Sequence, residues 1–312
     1  MASKILLTGA AGFIGSHVAR RLVAEGCDVY AVVRPQSTAW RLRGLEGAIQ
    51  RVNCDLTLPG AAEQCAAQTR PDMCVHLAWD VVPGQYLHSL RNVEWVTASL
   101  RLAGALAEHG CSRFIGAGTC LEYDASHAPL AETDPTRPTN LYAASKLGLA
   151  LILERLADVT GMRVAWLRFF YLFGPLEDER RLVPSVILAL LEGRQAAVSA
   201  GKQVRDFLHV ADVASAVWAV ARSDLSGPVN IGSGHPVTVG EVAGHLGAML
   251  QRSDLLAPGA VQDDPSAPPY VCADIRRLFA STGWTPQYDL DSGLRDTVRW
   301  WQDSRRSKTG LE

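Results

Sequence analysis

Tyr142 and Lys146 stand four residues apart in an otherwise apolar stretch, residues 138–150. On a helix that spacing puts both side chains on one face, a turn apart. A half-buried tyrosine beside a lysine whose stem covers apolar surface would explain the pair without any chemistry. An acid with the charge that tunes it explains the pair with chemistry. An isolated tyrosine has a pKa of about 10, so phenolate near pH 7 requires a shift of roughly 3 units. A neighbouring ammonium favours that shift, and Tyr142 could then exchange a proton with a hydroxyl or carbonyl. Lysine occurs only at positions 4, 146, 202 and 308, so its use here is selective.

A second group opens the chain: Thr8-Gly9-Ala10-Ala11-Gly12-Phe13-Ile14-Gly15. Glycines at 9, 12 and 15 suit a tight turn, a backbone approach to pyrophosphate and close helix–sheet packing. The helix start that follows offers free N–H groups and a partial positive charge to phosphate. A plain turn is the competing explanation, and the place between a strand and a helix favours the cradle. About 20 residues on, Arg34 stands where an Asp or Glu usually holds the adenosine ribose. A guanidinium there suits a 2′-phosphate, against the alternative of an ordinary surface arginine. The expected cofactor is NADP(H), with NAD(H) the alternative.

These groups need a scaffold, and short β-branched runs alternate with longer amphipathic ones. Ile5–Thr8, Val29–Val33, Ala48–Val52, Met73–Leu77, Phe114–Ala117 and Val164–Phe169 read as strands. Phe13–Glu25, Gly60–Gln68, Ser89–His109 and Leu141–Thr160 read as helices. Alternation of this kind predicts an α/β fold, a Rossmann-type doubly wound parallel sheet. Residues 1–170 are expected to form the dinucleotide-binding domain, with a return segment near 205–234. Residues 171–312, richer in Pro and Gly, are expected to form a smaller mixed α/β substrate lobe over the carboxyl edge of the sheet.

Composition narrows the function. The chain of 312 residues is 48% hydrophobic, 20% charged and carries a net charge of −2. That balance argues for a substantial core and against nucleic acid or an anionic membrane as partner. The N-terminus reads as neither signal peptide nor anchor. Seven scattered cysteines, with no Cys-x-x-Cys pair, suggest reduced thiols in the cytoplasm and no metal site.

Taken together, the motifs resemble the extended short-chain dehydrogenase/reductases (the NAD-dependent epimerase/dehydratase family), and within them nucleotide-sugar 4-ketoreductases. The matching segments are residues 8–15, Cys-Asp-Leu at 54–56, His-Leu-Ala at 76–78 and Gly-Thr-Cys-Leu-Glu-Tyr at 118–123. Tyr142-x-x-x-Lys146, Leu-Arg-Phe-Phe at 167–170, Arg-Asp-Phe-Leu-His-Val at 205–210 and Asn-Ile-Gly-Ser-Gly at 230–234 follow. The resemblance implies that Thr119, Tyr142 and Lys146 are catalytic, Thr119 and Tyr142 meeting the substrate carbonyl. It implies Asp55 and Leu56 against the adenine, Leu77, Ala78 and Trp79 along the cofactor's middle, Phe170 near the nicotinamide, and Arg205 on a substrate diphosphate.

Departures from the family pattern narrow the reaction. Cys120 and Leu121 replace the Asp-Glu of 4,6-dehydratases, and Glu122 lies one residue too late, where a turn or helix cap explains it. Cys120 is also out of register for 3,5-epimerisation, and the loop 174–184 has no His. Tyr171 and residues 263–266 depart from the usual substrate clamp. NADPH-dependent 4-ketoreduction of a nucleotide-linked 4-keto-6-deoxyhexose, of the kind used in deoxysugar biosynthesis, is the expected reaction, and NAD-dependent 4-epimerisation the alternative. The resemblance also implies a homodimer through a four-helix bundle of helices near 89–109 and 141–160. Trp95, Leu102, Leu106, Leu149 and Leu153 are expected to supply its apolar faces.

Overall fold

Strand-forming runs and amphipathic runs alternate through the first half of the chain as their residue types dictate. A computed structural model describes residues 3–309 other than Asp263, Pro265 and Ser266. Six strands come first: β1 (Lys4–Thr8), β2 (Asp28–Val33), β3 (Ile49–Asn53), β4 (Met73–His76), β5 (Arg113–Thr119) and β6 (Arg163–Phe169). Short strands follow: β7 (Tyr171–Phe173), β8 (Ala196–Val198), β9 (Val204–His209), β10 (Gly227–Ile231), β11 (Pro236–Thr238), β12 (Leu256–Pro258) and β13 (Tyr270–Val271). The helices are α1 (Phe13–Ala24), α2 (Ala61–Thr69), α3 (Arg91–Glu108), α4 (Leu141–Thr160), α5 (Leu182–Leu191), α6 (Val210–Ala221), α7 (Val239–Met249), α8 (Arg276–Thr282) and α9 (Leu290–Thr309).

The main sheet is parallel throughout, in the order β3-β2-β1-β4-β5-β6-β10. All seven residues of β5 are buried, as expected for a strand covered on both faces. One core layer holds α1, α6 and α8 against the sheet, and the other holds α2, α3 and α4. The strand order reverses between β1 and β4, where an open sheet forms its ligand crevice.

β7, β9, β11 and β13 form a small second sheet, and α5, α7 and α9 enclose a separate core. Two sequence motifs tie the layers together. Asp206 on β9 accepts from Ser233 N (2.6 Å), Ser233 Oγ (2.7 Å), Gly234 N (2.9 Å) and Ala273 N (3.1 Å). Asn230 on β10 accepts from the Tyr123 hydroxyl (2.7 Å) and donates to Leu130 O (2.7 Å). β10 completes the main sheet and α6 lies beside α1, whereas β9 belongs to the small sheet.

The residues expected at a dimer interface require correction. Trp95, Leu102, Leu106, Leu149 and Leu153 are all interior, packed where α3 and α4 meet the sheet. Their burial, roughly 1.5–3 kcal/mol apiece, already stabilises one copy of the chain. Val93 on α3 and Leu151, Ile152 and Val159 on α4 face outward instead. Residues 263, 265 and 266 of the altered clamp segment lie outside the described residues.

Candidate active site

The turn between β1 and α1 is shaped by lack of side chains. Gly9 has a φ of +68°, and a Cβ there would sit 2.7 Å from the Leu77 carbonyl carbon. A Cβ on Gly15 would overlap the Gly9 carbonyl oxygen. Gly12 caps α1 with no side-chain bond, and its N–H closes the turn on Gly9 O at 2.9 Å. The first-turn N–H groups of Phe13 and Ile14 therefore face outward from an unobstructed helix start. Beneath the turn, Thr8 Oγ1 meets His76 Nδ1 at 2.8 Å and accepts from Ala78 N at 3.1 Å. His76 Nε2 continues to Ser99 Oγ at 2.8 Å, joining β1, β4 and α3. Burial lowers His76 to about 3, with Lys146 pushing the same way, so the bridge is neutral. This bare turn and open helix start fit a dinucleotide pyrophosphate.

Across the crevice, β5 and α4 bring Thr119, Tyr142 and Lys146 together. Asn140 caps α4 by accepting from Ala143 N at 2.9 Å, which fixes the first-turn position of Tyr142. Tyr142 is 9% exposed, with Thr119 at the end of β5 beside it. Burial pushes the Tyr142 hydroxyl up; Tyr86, Glu122 and Cys120 add to this, and Thr119 opposes it. Burial therefore favours the protonated hydroxyl over the expected phenolate. Lys146 is also buried, and burial lowers it to about 7 while Glu122 supports its charge. Its Nζ lies 3.6 Å from the centre of the Trp79 ring and 5.9 Å from that of Tyr142. Trp79 is anchored by Asn92 Oδ1 (2.8 Å) and stacks on Trp95. The ammonium therefore sits on an aromatic face, not in water.

Tyr86 and Tyr171 are further aromatic residues near this group. The Tyr86 ring meets the edge of Tyr142 at 4.9 Å, and the Arg181 guanidinium lies 5.5 Å from its centre. Neither Tyr86 nor Arg181 has a spacing that marks it, since each lies in or beside a loop. Arg205 is 3% exposed, donates to Val204 O (2.8 Å) and Gln203 Oε1 (3.0 Å), and lies 5.2 Å from the Tyr171 ring. Burial pushes Tyr171 up and lifts the Cys120 thiol to about 12. Phe170 packs with Cys120, Tyr123 and Leu130.

The remaining candidates line the crevice rim. Leu56 is buried in the α2–α4 layer, and Asp55 Oδ1 accepts from Thr57 N (3.1 Å) and Oγ1 (2.7 Å). Leu77 and Ala78 lie against Gly9. Arg34 is exposed just beyond the carboxyl end of β2. Among the described residues no cluster of His, Cys, Asp and Glu could hold a metal, and no helix is long and apolar enough to cross a membrane.

Doubly wound sheet, glycine turn and Tyr–Lys pair define a dinucleotide-dependent enzyme of the extended short-chain dehydrogenase/reductase class. Residues 5–232 match the model of the NAD dependent epimerase/dehydratase family, and the chain belongs to that family. It is 29% identical to a UDP-glucose 4-epimerase of Azospirillum brasilense, over 95% of this chain and 91% of the relative. Its fold matches the UDP-N-acetylglucosamine 4-epimerase of Methanobrevibacter ruminantium, solved with UDP-N-acetylmuramic acid. That match has a TM-score of 0.88 and 28% identity, over 97% of this chain and 100% of the other. The UDP-glucose 4-epimerase of Thermus thermophilus in complex with NAD matches with a TM-score of 0.85 and 26% identity, over 96% and 98%.

Proposed function

We propose that the chain is a nucleotide-sugar 4-ketoreductase that uses NADPH to reduce a nucleotide-linked 4-keto-6-deoxyhexose. The nucleotide-sugar class follows from the relatives, whose names specify UDP sugars. The choice of reaction rests on the site. Glu122 is engaged by Thr119 N, Trp166 and Arg168, and Cys120 keeps its proton, so neither serves as the extra acid or base that dehydration or 3,5-epimerisation needs. Tyr142 holds a proton and stands beside Thr119, which suits protonation of a keto oxygen. When bound, the dinucleotide supplies the hydride to the carbonyl carbon. Tyr142 gives the oxygen its proton, Thr119 orients that oxygen, and Lys146 restores charge balance and suits the cofactor ribose. Arg205 serves the substrate diphosphate.

The single observation behind NADPH is Arg34, exposed past β2 where an acidic residue would serve NAD. A guanidinium–phosphate bond contributes about 1.5–3 kcal/mol, roughly tenfold to over a hundredfold in preference. The purified protein is expected to bind NADPH more tightly than NADH in fluorescence titrations, and Arg34→Asp to shrink or reverse the difference. Sugar turnover is expected to require added NADPH. The likeness to UDP-glucose 4-epimerases favours a second reading, an NAD-dependent 4-epimerase. Retained NAD and turnover without reductant would establish it in place of the first.

A homodimer is part of the proposal, now through the outer faces of α3 and α4. Val93, Leu151, Ile152 and Val159 form the exposed apolar surface there, and a second copy related by a two-fold axis would cover it. Light scattering at micromolar concentration is expected to give twice the 33.6 kDa chain mass, and Ile152→Glu to lower it. A monomeric mass for the unaltered protein rejects the dimer. Free cysteines fit a cytoplasmic enzyme.

A further inference from the structure

Glu122 carries no accessible surface, yet it accepts three hydrogen bonds in the turn that Thr119 caps. It closes a capping box with Thr119: Oε1 accepts from Thr119 N at 2.9 Å, and Thr119 Oγ1 accepts from Leu121 N at 3.3 Å. Oε1 also accepts from Trp166 Nε1 at 3.0 Å, and Oε2 from Arg168 Nε at 2.8 Å. The register explains why this fits. Gly116 and Gly118 on β5 lie opposite Trp166 and Arg168 on β6. A Cβ on Gly118 would come within 2.7 Å of Glu122 Oε1, and one on either glycine would collide with the Trp166 indole. Two bare strand positions therefore let an indole reach across to the carboxylate. Arg168 is held in turn by the Tyr123 ring, 4.3 Å away, and by Glu132 O at 3.3 Å.

We propose that Glu122 is a positioning residue for this reaction: it fixes the Thr119 backbone from below and supplies the negative charge that faces Tyr142 and Lys146. The inference rests on the reading of Tyr142 as the acid and Lys146 as its charge partner. This carboxylate is fully buried and already accepts from Thr119, Trp166 and Arg168, so it acts through its neighbours. Its charge favours the Lys146 ammonium and disfavours Tyr142 phenolate. The other titratable groups facing the pair are His76 from β4, Cys120 from the turn after β5, and Tyr86 from the turn at 86–88. His76 is neutral and Cys120 protonated, and the Glu122 carboxyl has Arg168 as its ion-pair partner. Trp79 and Trp166 give Lys146 aromatic faces, with the Trp166 ring centre 5.9 Å from Nζ.

The test is the pH profile of kcat/KM for ketosugar reduction by Glu122→Gln, which keeps an acceptor for Thr119 N and Trp166 but removes the charge. Without the charge, both Lys146 and Tyr142 lose their protons at lower pH. The alkaline limb is expected to move down by about one pH unit. A purely structural role would lower kcat and leave the limb in place. Because Gln alone leaves Arg168 uncompensated, Glu122→Gln/Arg168→Gln is the second variant. It replaces a buried ion pair by two neutral amides, which folds accept far better than a broken pair. There the two opposing charges go together, so the limb is expected to return toward its original position. An unmoved limb in a Glu122→Gln variant that melts and binds NADPH like the unaltered protein overturns the proposal. Tyr142→Phe separates the two levels: full turnover in that variant rejects the underlying reading, whereas loss of turnover with an unmoved Glu122 limb rejects only this inference.

Discussion

The glycine-turn half and the Tyr142 half of the crevice are built in opposite ways. The glycine-turn half is backbone: eight consecutive residues, 8–15, turn so tightly that Gly9 and Gly15 exclude a Cβ, and a helix start completes the cradle. The Tyr142 half is side chains drawn from distant segments: Tyr86 against Tyr142, Arg181 against Tyr86, and Arg205 against Tyr171. A backbone site tolerates almost no change but serves one ligand shape. A side-chain site can be altered residue by residue, which is how one fold takes on many substrates. The two halves meet at Tyr142 and Lys146, where each side chain is buried and each carries a displaced pKa.

Tyr142→Phe is the sharpest way to separate the halves, and its effect is expected to be the largest. It removes one hydroxyl and leaves the ring between Tyr86 and Trp79. Turnover is expected to fall by roughly 10²–10⁴-fold, the usual scale for a lost general acid. Dinucleotide affinity, measured by fluorescence titration, is expected to stay within a few-fold because the cradle is untouched. Parallel loss of binding and turnover would mean that the halves are not separable, and unchanged turnover would remove Tyr142 from the chemistry.

The same contrast governs what the sequence could reveal. The cradle was legible because its demand falls on local backbone: Gly9, Gly12 and Gly15 are visible as letters. Strand–helix alternation likewise led to the parallel sheet, with Leu141–Thr160 as a helix carrying Tyr142 and Lys146 on one face. Tyr86 was not legible, since a loop between β4 and α3 brings it to Tyr142 and no spacing relates the two. Glu122 was legible only as a cap. Its bonds to Trp166 and Arg168 depend on how β5 and β6 pair. The interface residues failed for a related reason. Periodicity shows that α3 and α4 each have an apolar face, but Leu149 and Leu153 turned toward the sheet while Leu151 and Ile152 turned out. For Tyr142, four-residue spacing pointed to the lysine, whereas the burial that raises the hydroxyl comes from the whole fold.

Glu177 offers a smaller and purely thermodynamic probe, because its loop bridges the two halves. Pro175 O meets His17 Nε2 on α1 at 2.9 Å, and Leu176 O accepts from Arg41 Nε at 2.8 Å. Arg181, at the other end, lies over Tyr86. Glu177 is buried with Oε2 unpartnered, and burial raises it to about 8 against the pull of Arg181 and the Gly174 N–H. The native chain therefore holds this proton up to about pH 8, whereas the unfolded chain releases it near 4.5. Between those values the native state binds more protons, so the Glu177 contribution to stability is full below pH 4.5 and is lost as pH rises through 8. The slope is at most about 1.4 kcal/mol per pH unit. Lys146 acts in the opposite sense above pH 7, where its native form has lost a proton that the unfolded form keeps. That term is common to the unaltered protein and Glu177→Gln, so it cancels in their difference. Urea unfolding at pH 5 and pH 8 is expected to show the Gln variant gaining stability relative to the unaltered chain as pH rises. Parallel stability curves would mean that the Glu177 carboxyl titrates near its ordinary value and that the loop between the halves is more open to water than its burial implies.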